Sequence, residues 1–170
     1  MRMPPVVALS GQLVRTLGGA AANHETLRLM RAMVNAAKVD PAIINAAHSL
    51  IYLQPQFDEI AEVRAIFDFV RQSVRYVRDV NGVETLCDPA KTLQRMSGDC
   101  DDQTMLLCAL FESIGYPTRF VMTAYDSDAW QHVYCQVQVA GQWINCDPIE
   151  PTASLGFAYP SPRRTYVERV

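Results

Sequence analysis

The sequence lacks the features that would assign the protein to a membrane, nucleic-acid-binding or secreted class. It has no run of about 18 consecutive apolar residues, so no segment is expected to span a membrane. The net charge is −3, with 15 basic and 18 acidic residues, so no basic surface predicts nucleic-acid binding. The N-terminal apolar run is short and is interrupted by Pro4 and Pro5, which is not typical of a secretory signal. We therefore expect neither a membrane nor a nucleic acid among the partners of this protein.

The few cysteines follow no disulfide or metal-binding pattern. They are Cys87, Cys100, Cys108, Cys135 and Cys146, and an odd number without a secretory signal argues against a disulfide framework. No C-x-x-C pair predicts a structural zinc site, and no D-x-[DN]-x-[DN]-G loop predicts a calcium site. We expect no metal and no other cofactor, and a reducing compartment, namely the cytoplasm.

The hydrophobic spacing changes from helical to alternating near Pro117. Before this proline, the spacing predicts helices over about 24–38, 41–53, 58–75, 89–96 and 100–114. After it, alternation predicts strands over 118–124, 132–139 and 142–147. Helices followed by an antiparallel sheet indicate an α+β fold. We predict an N-terminal arm or linker over residues 1–22, a single domain with N-terminal helical decoration over residues 23–150, and a C-terminal tail over residues 151–170.

Cys100 lies directly before an apolar helical pattern, in the segment Gly98-Asp99-Cys100-Asp101-Asp102. A helix N-terminus presents unpaired N–H groups and the positive end of the helix dipole, which favour a thiolate. The neighbouring aspartates oppose a second negative charge, so a reactive Cys100 requires a base or a cationic partner. With such a partner, we expect iodoacetamide to alkylate Cys100 faster than the other cysteines and well below pH 8. A structural cysteine beside capping aspartates is the alternative that this segment leaves open.

The candidate partner is His132, which begins a predicted strand. The other two histidines, His24 and His48, fall in the N-terminal helices, where we expect structural or solvated roles. Because a histidine can exchange a proton near neutral pH, His132 has the right chemistry for a general base.

The register of the predicted hairpin places His132 near a carboxylate. A two-residue turn at Ala140-Gly141 would put Tyr134 opposite Asp147, so that His132, Tyr134 and Asp147 share one face of the sheet. His132 and Asp147 then become diagonal neighbours with backbones about 7–8 Å apart, a gap that their side chains can bridge. A hydrogen bond from the imidazole to this carboxylate would leave the other ring nitrogen for a nucleophile. The contact between Cys100 and His132 does not follow from spacing, because it depends on the tertiary fold.

Three blocks of sequence resemble the Cys, His and Asp blocks of the transglutaminase-like superfamily, particularly those of its bacterial and prophage-encoded members. The blocks are Gly98-Asp99-Cys100-Asp101-Asp102, His132-Val133-Tyr134 and Asn145-Cys146-Asp147-Pro148, in that order. The segments 74–79 and 115–121 are also similar to their surroundings in that family, and the similarity covers about residues 58–150.

This resemblance implies a papain-like fold, in which the helix that begins at the cysteine packs on an antiparallel sheet that presents the histidine and the aspartate. It implies that Cys100 is the nucleophile, His132 the general base and acid, and Asp147 the group that orients His132. The backbone N–H of Cys100 would contribute to an oxyanion hole, with Tyr76 and Gln94 as candidate side-chain donors.

The chemistry implied by the resemblance is acyl transfer through a thioester. We prefer hydrolysis of a peptide or carboxamide bond, with a peptide or protein as substrate. Three alternatives stay open: a transglutaminase that cross-links proteins through an amine acceptor, a catalytically idle structural or assembly module of a phage or prophage, and a structural metal site made of Cys100, His132 and Asp147. The oligomeric state does not follow from the sequence.

Overall fold

The computed structural model describes residues 14–16, 20–78, 84–150 and 152–170 of the protein. Its helices are α1 (Ala20–Ala37), α2 (Pro41–Ile51), α3 (Glu59–Ser73), α4 (Pro89–Arg95) and α5 (Cys100–Ser113). Its strands are β1 (Val14–Thr16), β2 (Arg75–Tyr76), β3 (Glu84–Leu86), β4 (Ser97–Gly98), β5 (Thr118–Ala124), β6 (His132–Val139), β7 (Gln142–Cys146) and β8 (Arg164–Arg169). In the described residues, no helix is both long enough and apolar enough to cross a lipid bilayer.

The strands form one larger sheet and two short pairs. The larger sheet is antiparallel and has the order β7-β6-β5-β8. Strands β1 and β3 form an antiparallel pair, and β2 and β4 form a parallel pair that leads directly into α5. Helices therefore precede an antiparallel sheet, which confirms the predicted α+β fold.

Four helices begin directly after an aspartate that caps them. The carboxylates of Asp40, Asp58 and Asp88 accept hydrogen bonds of 2.7–2.9 Å from backbone N–H groups in the first turns of α2, α3 and α4. Asp99 does the same for α5, at 3.4 Å. These caps satisfy N–H groups that have no partner inside a helix. Two of the three Asp-Pro pairs of the sequence, Asp40-Pro41 and Asp88-Pro89, therefore mark helix starts, as predicted.

Helix α5 forms the centre of the molecule. Every residue from Asp101 to Phe111 is buried, because α1, α2, α3 and α4 pack around the helix and the sheet packs against it at β6. The hydroxyl of Thr104 donates a hydrogen bond of 3.1 Å to the carbonyl oxygen of Val133 in β6. The helix that begins at the cysteine is thus fixed against the strand that begins at His132, as the predicted fold requires.

The hairpin between β6 and β7 has the predicted two-residue turn. Ala140 and Gly141 both have positive φ angles, 48° and 79°, and Val139 pairs with Gln142. Two consecutive positive φ angles match the right-handed twist of the flanking strands. The register that placed His132 and Asp147 on one face is therefore confirmed.

The C-terminal strand was not predicted. Residues 164–169, which we expected in a tail, form β8 and pair with β5 along its whole length. Most of β8 is exposed, and each of its faces has only one apolar or aromatic residue, Tyr166 or Val167, so the strand carries little hydrophobic signal. Strand β1 within the expected N-terminal arm and the short strands β2, β3 and β4 were missed as well. Residues 1–13 of that arm lie outside the described residues, and the division of the chain into arm, domain and tail stays a prediction.

Candidate active site

Cys100 is the first residue of α5 and the most accessible of the five cysteines. All five are free thiols, and Cys87, Cys108, Cys135 and Cys146 are buried whereas Cys100 is half-buried. Cys135 and Cys146 face each other across β6 and β7 on the side of the sheet that packs in the core. A reagent or substrate from solvent can therefore reach Cys100 most readily.

His132 and Asp147 form a direct hydrogen bond. The distance from Nε2 of His132 to Oδ2 of Asp147 is 2.7 Å. The Asp147 side chain is only 1% exposed and the His132 side chain 14%, so water competes little for this contact. The backbone N–H of Ile149 donates to the other oxygen of Asp147 at 3.3 Å, which fixes the plane of the carboxylate. Because Nε2 is engaged, Nδ1 of His132 is the nitrogen available to a nucleophile.

The thiol of Cys100 contacts the same strand. Backbone N–H groups of Val133 and Asp101 interact with the sulfur and lower its pKa. Burial, and then the charges of Asp101 and Asp99, act in the opposite direction and prevail, so the pKa of Cys100 is raised above its ordinary value. The helix end does not therefore produce a thiolate by itself, and alkylation well below pH 8 depends on a proton acceptor. Val133 directly follows His132, so the strand that contacts the sulfur also carries that base.

Three buried aspartates surround the start of α5. One carboxylate oxygen from each of Asp99, Asp101 and Asp102 lies within 4.8 Å of the others. Asp102 accepts a 2.7 Å hydrogen bond from the backbone N–H of Cys87. Burial, followed by a hydrogen bond with Asp99 and then the negative charge of Asp99, raises the pKa of Asp101. Oxygen ligands of this kind suit a hard cation, but helix capping and hydrogen bonding already account for the arrangement.

Gly98 allows the chain to approach α5 closely. A Cβ atom at this position would lie 2.6 Å from Cβ of Asp102, which is closer than real contacts allow. Gln103 donates from its amide to the carbonyl oxygen of Gly98 at 3.1 Å, and Gly98 pairs with Tyr76 between β4 and β2. The glycine therefore ties the start of α5 to β2, which the motif alone did not reveal.

Of the two candidate side-chain donors, Tyr76 is the one near the thiol. Burial raises the pKa of Tyr76, and the neighbouring charge of Cys100 raises it further. The tyrosine is 44% exposed, so its hydroxyl can face a bound substrate. Gln94 is exposed near the end of α4.

The order and spacing of these residues agree with a known family. The family model described as "Transglutaminase-like superfamily" matches residues 51–148, which is more than half of the chain. The chain belongs to the transglutaminase-like superfamily. The match includes Cys100, His132 and Asp147, whereas α1 and β8 lie outside the part of the chain that the superfamily model covers.

Solved structures share the fold of this superfamily member. A candidate cysteine protease from Cytophaga hutchinsonii is 18% identical, with a TM-score of 0.51 over 75% of this chain and 50% of that chain. A candidate protease from Parabacteroides distasonis is 16% identical, with a TM-score of 0.56 over 69% of this chain and 25% of that chain. The chain thus spans half or less of the length of these two structures, and the likeness at this identity is one of fold. No curated protein sequence matches the chain.

Proposed function

We propose that the protein is a cysteine-dependent acyl-transfer enzyme that hydrolyses a peptide or carboxamide bond. Cys100 is the nucleophile, His132 is the general base and acid, and Asp147 orients His132 and stabilises its protonated form. The observation that supports this proposal best is the 2.7 Å contact between His132 and Asp147, on the strand whose next residue contacts the Cys100 thiol.

The first half of the reaction is acylation. Nδ1 of His132 removes the proton of Cys100, whose raised pKa makes this transfer necessary. The sulfur attacks the carbonyl carbon of the substrate, and the carbon–nitrogen bond breaks as His132 returns the proton to the leaving amine. The products of this half are the free amine and a thioester on Cys100. Negative charge on the carbonyl oxygen would be stabilised by the backbone N–H of Cys100 and the hydroxyl of Tyr76.

The second half is deacylation by water. His132 takes a proton from water, the hydroxide attacks the thioester carbon, and the carbon–sulfur bond breaks to release a carboxylic acid and the thiol. The choice of water over an amine as acceptor follows the protease names of the two similar structures. The substrate proposed is therefore a peptide or protein.

Turnover and labelling together test this proposal. We would measure cleavage of fluorescein-labelled casein, ammonia release from a glutamine-containing peptide, and the mass of the intact protein for an acyl adduct. We expect activity in the wild type, and loss of it in Cys100→Ala and His132→Ala. His48→Ala is the matched control, because His48 is exposed on α2 and should keep full activity. Activity that persists in Cys100→Ala would contradict the proposal.

Two other outcomes separate the alternatives. Incorporation of dansylcadaverine into a glutamine-rich protein would identify an amine as acceptor and the protein as a transglutaminase. If Cys100 forms no adduct and reacts with iodoacetamide no faster than a buried cysteine, the protein is an idle module with the fold of an enzyme.

A further inference from the structure

A second cluster of functional groups lies on the same face of the sheet as His132 and Asp147, but at its other end. Arg119 in β5 pairs with Arg169 in β8, and the cluster continues through β6 to Trp143 in β7. Trp143 precedes Asp147 by four residues on one strand, which corresponds to about 13 Å along the sheet. The cluster is therefore separate from the contact between His132 and Asp147.

The two arginines share one aromatic ring. The guanidinium carbon of Arg119 lies 4.2 Å from the centre of the Trp143 ring, and that of Arg169 lies 6.0 Å from it. Arg119 also donates from Nε to the side-chain oxygen of Gln136 at 2.6 Å, and Gln136 donates to Asn145 at 2.5 Å. These two hydrogen bonds hold the guanidinium group of Arg119 in place. Neither of them involves the two terminal nitrogens of that group. The Arg119 side chain is thus held in one orientation before any ligand binds.

The two arginines of this cluster differ from other arginines of the described residues in their ion pairing. Within the described residues, neither Arg119 nor Arg169 forms an ion pair with a carboxylate. Other arginines do form such pairs: Arg28, Arg31, Arg71 and Arg163. Burial, and then the charge of Arg169, lowers the pKa of Arg119, which shows that the two cations repel each other. A bound anion would relieve this repulsion.

We propose that Arg119, Trp143 and Arg169 bind an acidic peptide segment. A carboxylate lies between the two guanidinium groups, whose planar donors match its two oxygens, and the peptide chain crosses the exposed part of the indole. An acidic peptide fits better than a nucleic acid, because the protein as a whole carries a net charge of −3 and would repel a long polyanion. The proposal does not depend on Cys100 being a nucleophile.

Tryptophan fluorescence can test this site directly. The chain has only two tryptophans, so Trp130→Phe leaves Trp143 as the single reporter. In this background we would titrate the peptide acetyl-Glu-Gly-Glu-Gly-Glu-amide and, separately, its glutamine counterpart. We expect a saturable change with the glutamate peptide and none with the glutamine peptide. Arg169→Gln should weaken binding about fivefold, the effect of one exposed ion pair.

The controls make each outcome decisive. Arg28→Gln should bind the peptide as the parent does, because Arg28 is an exposed arginine of α1. Cys100→Ala should also bind unchanged, so a failure of the proposed enzyme activity does not affect this test. Equal binding of the two peptides, equal binding by Arg169→Gln, or no saturable change would overturn the proposal. Inorganic phosphate that competes as strongly as the peptide would show a small-anion site and would also overturn it.

Discussion

Replacing Asp147 by asparagine removes one charge from the candidate site and preserves its shape. Asp147 is almost fully buried and accepts a 2.7 Å hydrogen bond from His132. During acylation His132 becomes positively charged, and a hydrogen bond to a charged group stabilises a protein by about 1.5–3 kcal/mol. Loss of that stabilisation in the transition state corresponds to a rate about 10- to 150-fold slower. We therefore expect Asp147→Asn to slow both alkylation of Cys100 and peptide hydrolysis by this factor.

The assay follows alkylation by iodoacetamide as a function of pH, with intact mass as the readout. Because the pKa of Cys100 is raised, its reaction at neutral pH depends on proton transfer to His132. Weakening His132 as a base should therefore move the labelling profile to higher pH, which a purely structural role of Asp147 would not do. The matched control is Asp128→Asn, because the Asp128 side chain is 75% exposed and, in the described residues, its carboxylate forms an ion pair only with Arg163, at 3.6 Å. Unchanged labelling and hydrolysis in a folded Asp147→Asn protein would refute the reasoning.

Three further substitutions test the surroundings of Cys100. The pKa of Asp101 is raised above its usual value of 3.8, so the folded state holds this proton more tightly, and stability falls as pH rises from that value to the folded pKa. Asp101→Asn should therefore raise the melting temperature at neutral pH and change it little below pH 3.8. A lower melting temperature of this variant at neutral pH would contradict the prediction. Gly98→Ala should destabilise the protein by about 1–3 kcal/mol in urea unfolding, because its Cβ would overlap Asp102, and unchanged stability would mean that this approach is not tight. Tyr76→Phe should lower kcat by about 100-fold with little change in KM if its hydroxyl binds the oxyanion, whereas an effect on KM alone would exclude that role.

The parts of the fold that were predicted correctly depend on a few neighbouring residues. Asp40 and Asp88 each precede a proline and a helical pattern, and each caps its helix through its own carboxylate, so these helix starts depend only on neighbouring residues. The turn at Ala140-Gly141 sets the register of two strands, and the contact between His132 and Asp147 follows from that register. In each case the physical cause is local, since it lies within one turn of helix or one hairpin.

The parts that were missed depend on contacts between distant segments. Strand β8 has only one apolar or aromatic residue on each face, and its pairing with β5, 40 to 50 residues earlier in the chain, makes it a strand. The sequence predicts two opposing effects on the pKa of Cys100, from the helix end and from the neighbouring aspartates, but burial by elements from elsewhere in the fold is the largest effect. Arg119, Trp143 and Arg169 meet for the same reason, since three different strands bring them together.

By itself, the sequence determined where helices α2 to α5 and strands β5 to β7 begin, and which imidazole can reach which carboxylate. Those features follow from backbone periodicity and side-chain reach over short distances along the chain. Only the tertiary structure decided that the Cys100 thiol lies against β6 and that its proton is held tightly. It alone also decided that Arg119 and Arg169, neither of which forms an ion pair within the described residues, face one indole. The burial of a side chain and its Coulomb interactions depend on all the residues that pack around it. They therefore follow from the three-dimensional fold and cannot be derived from the order of residues alone.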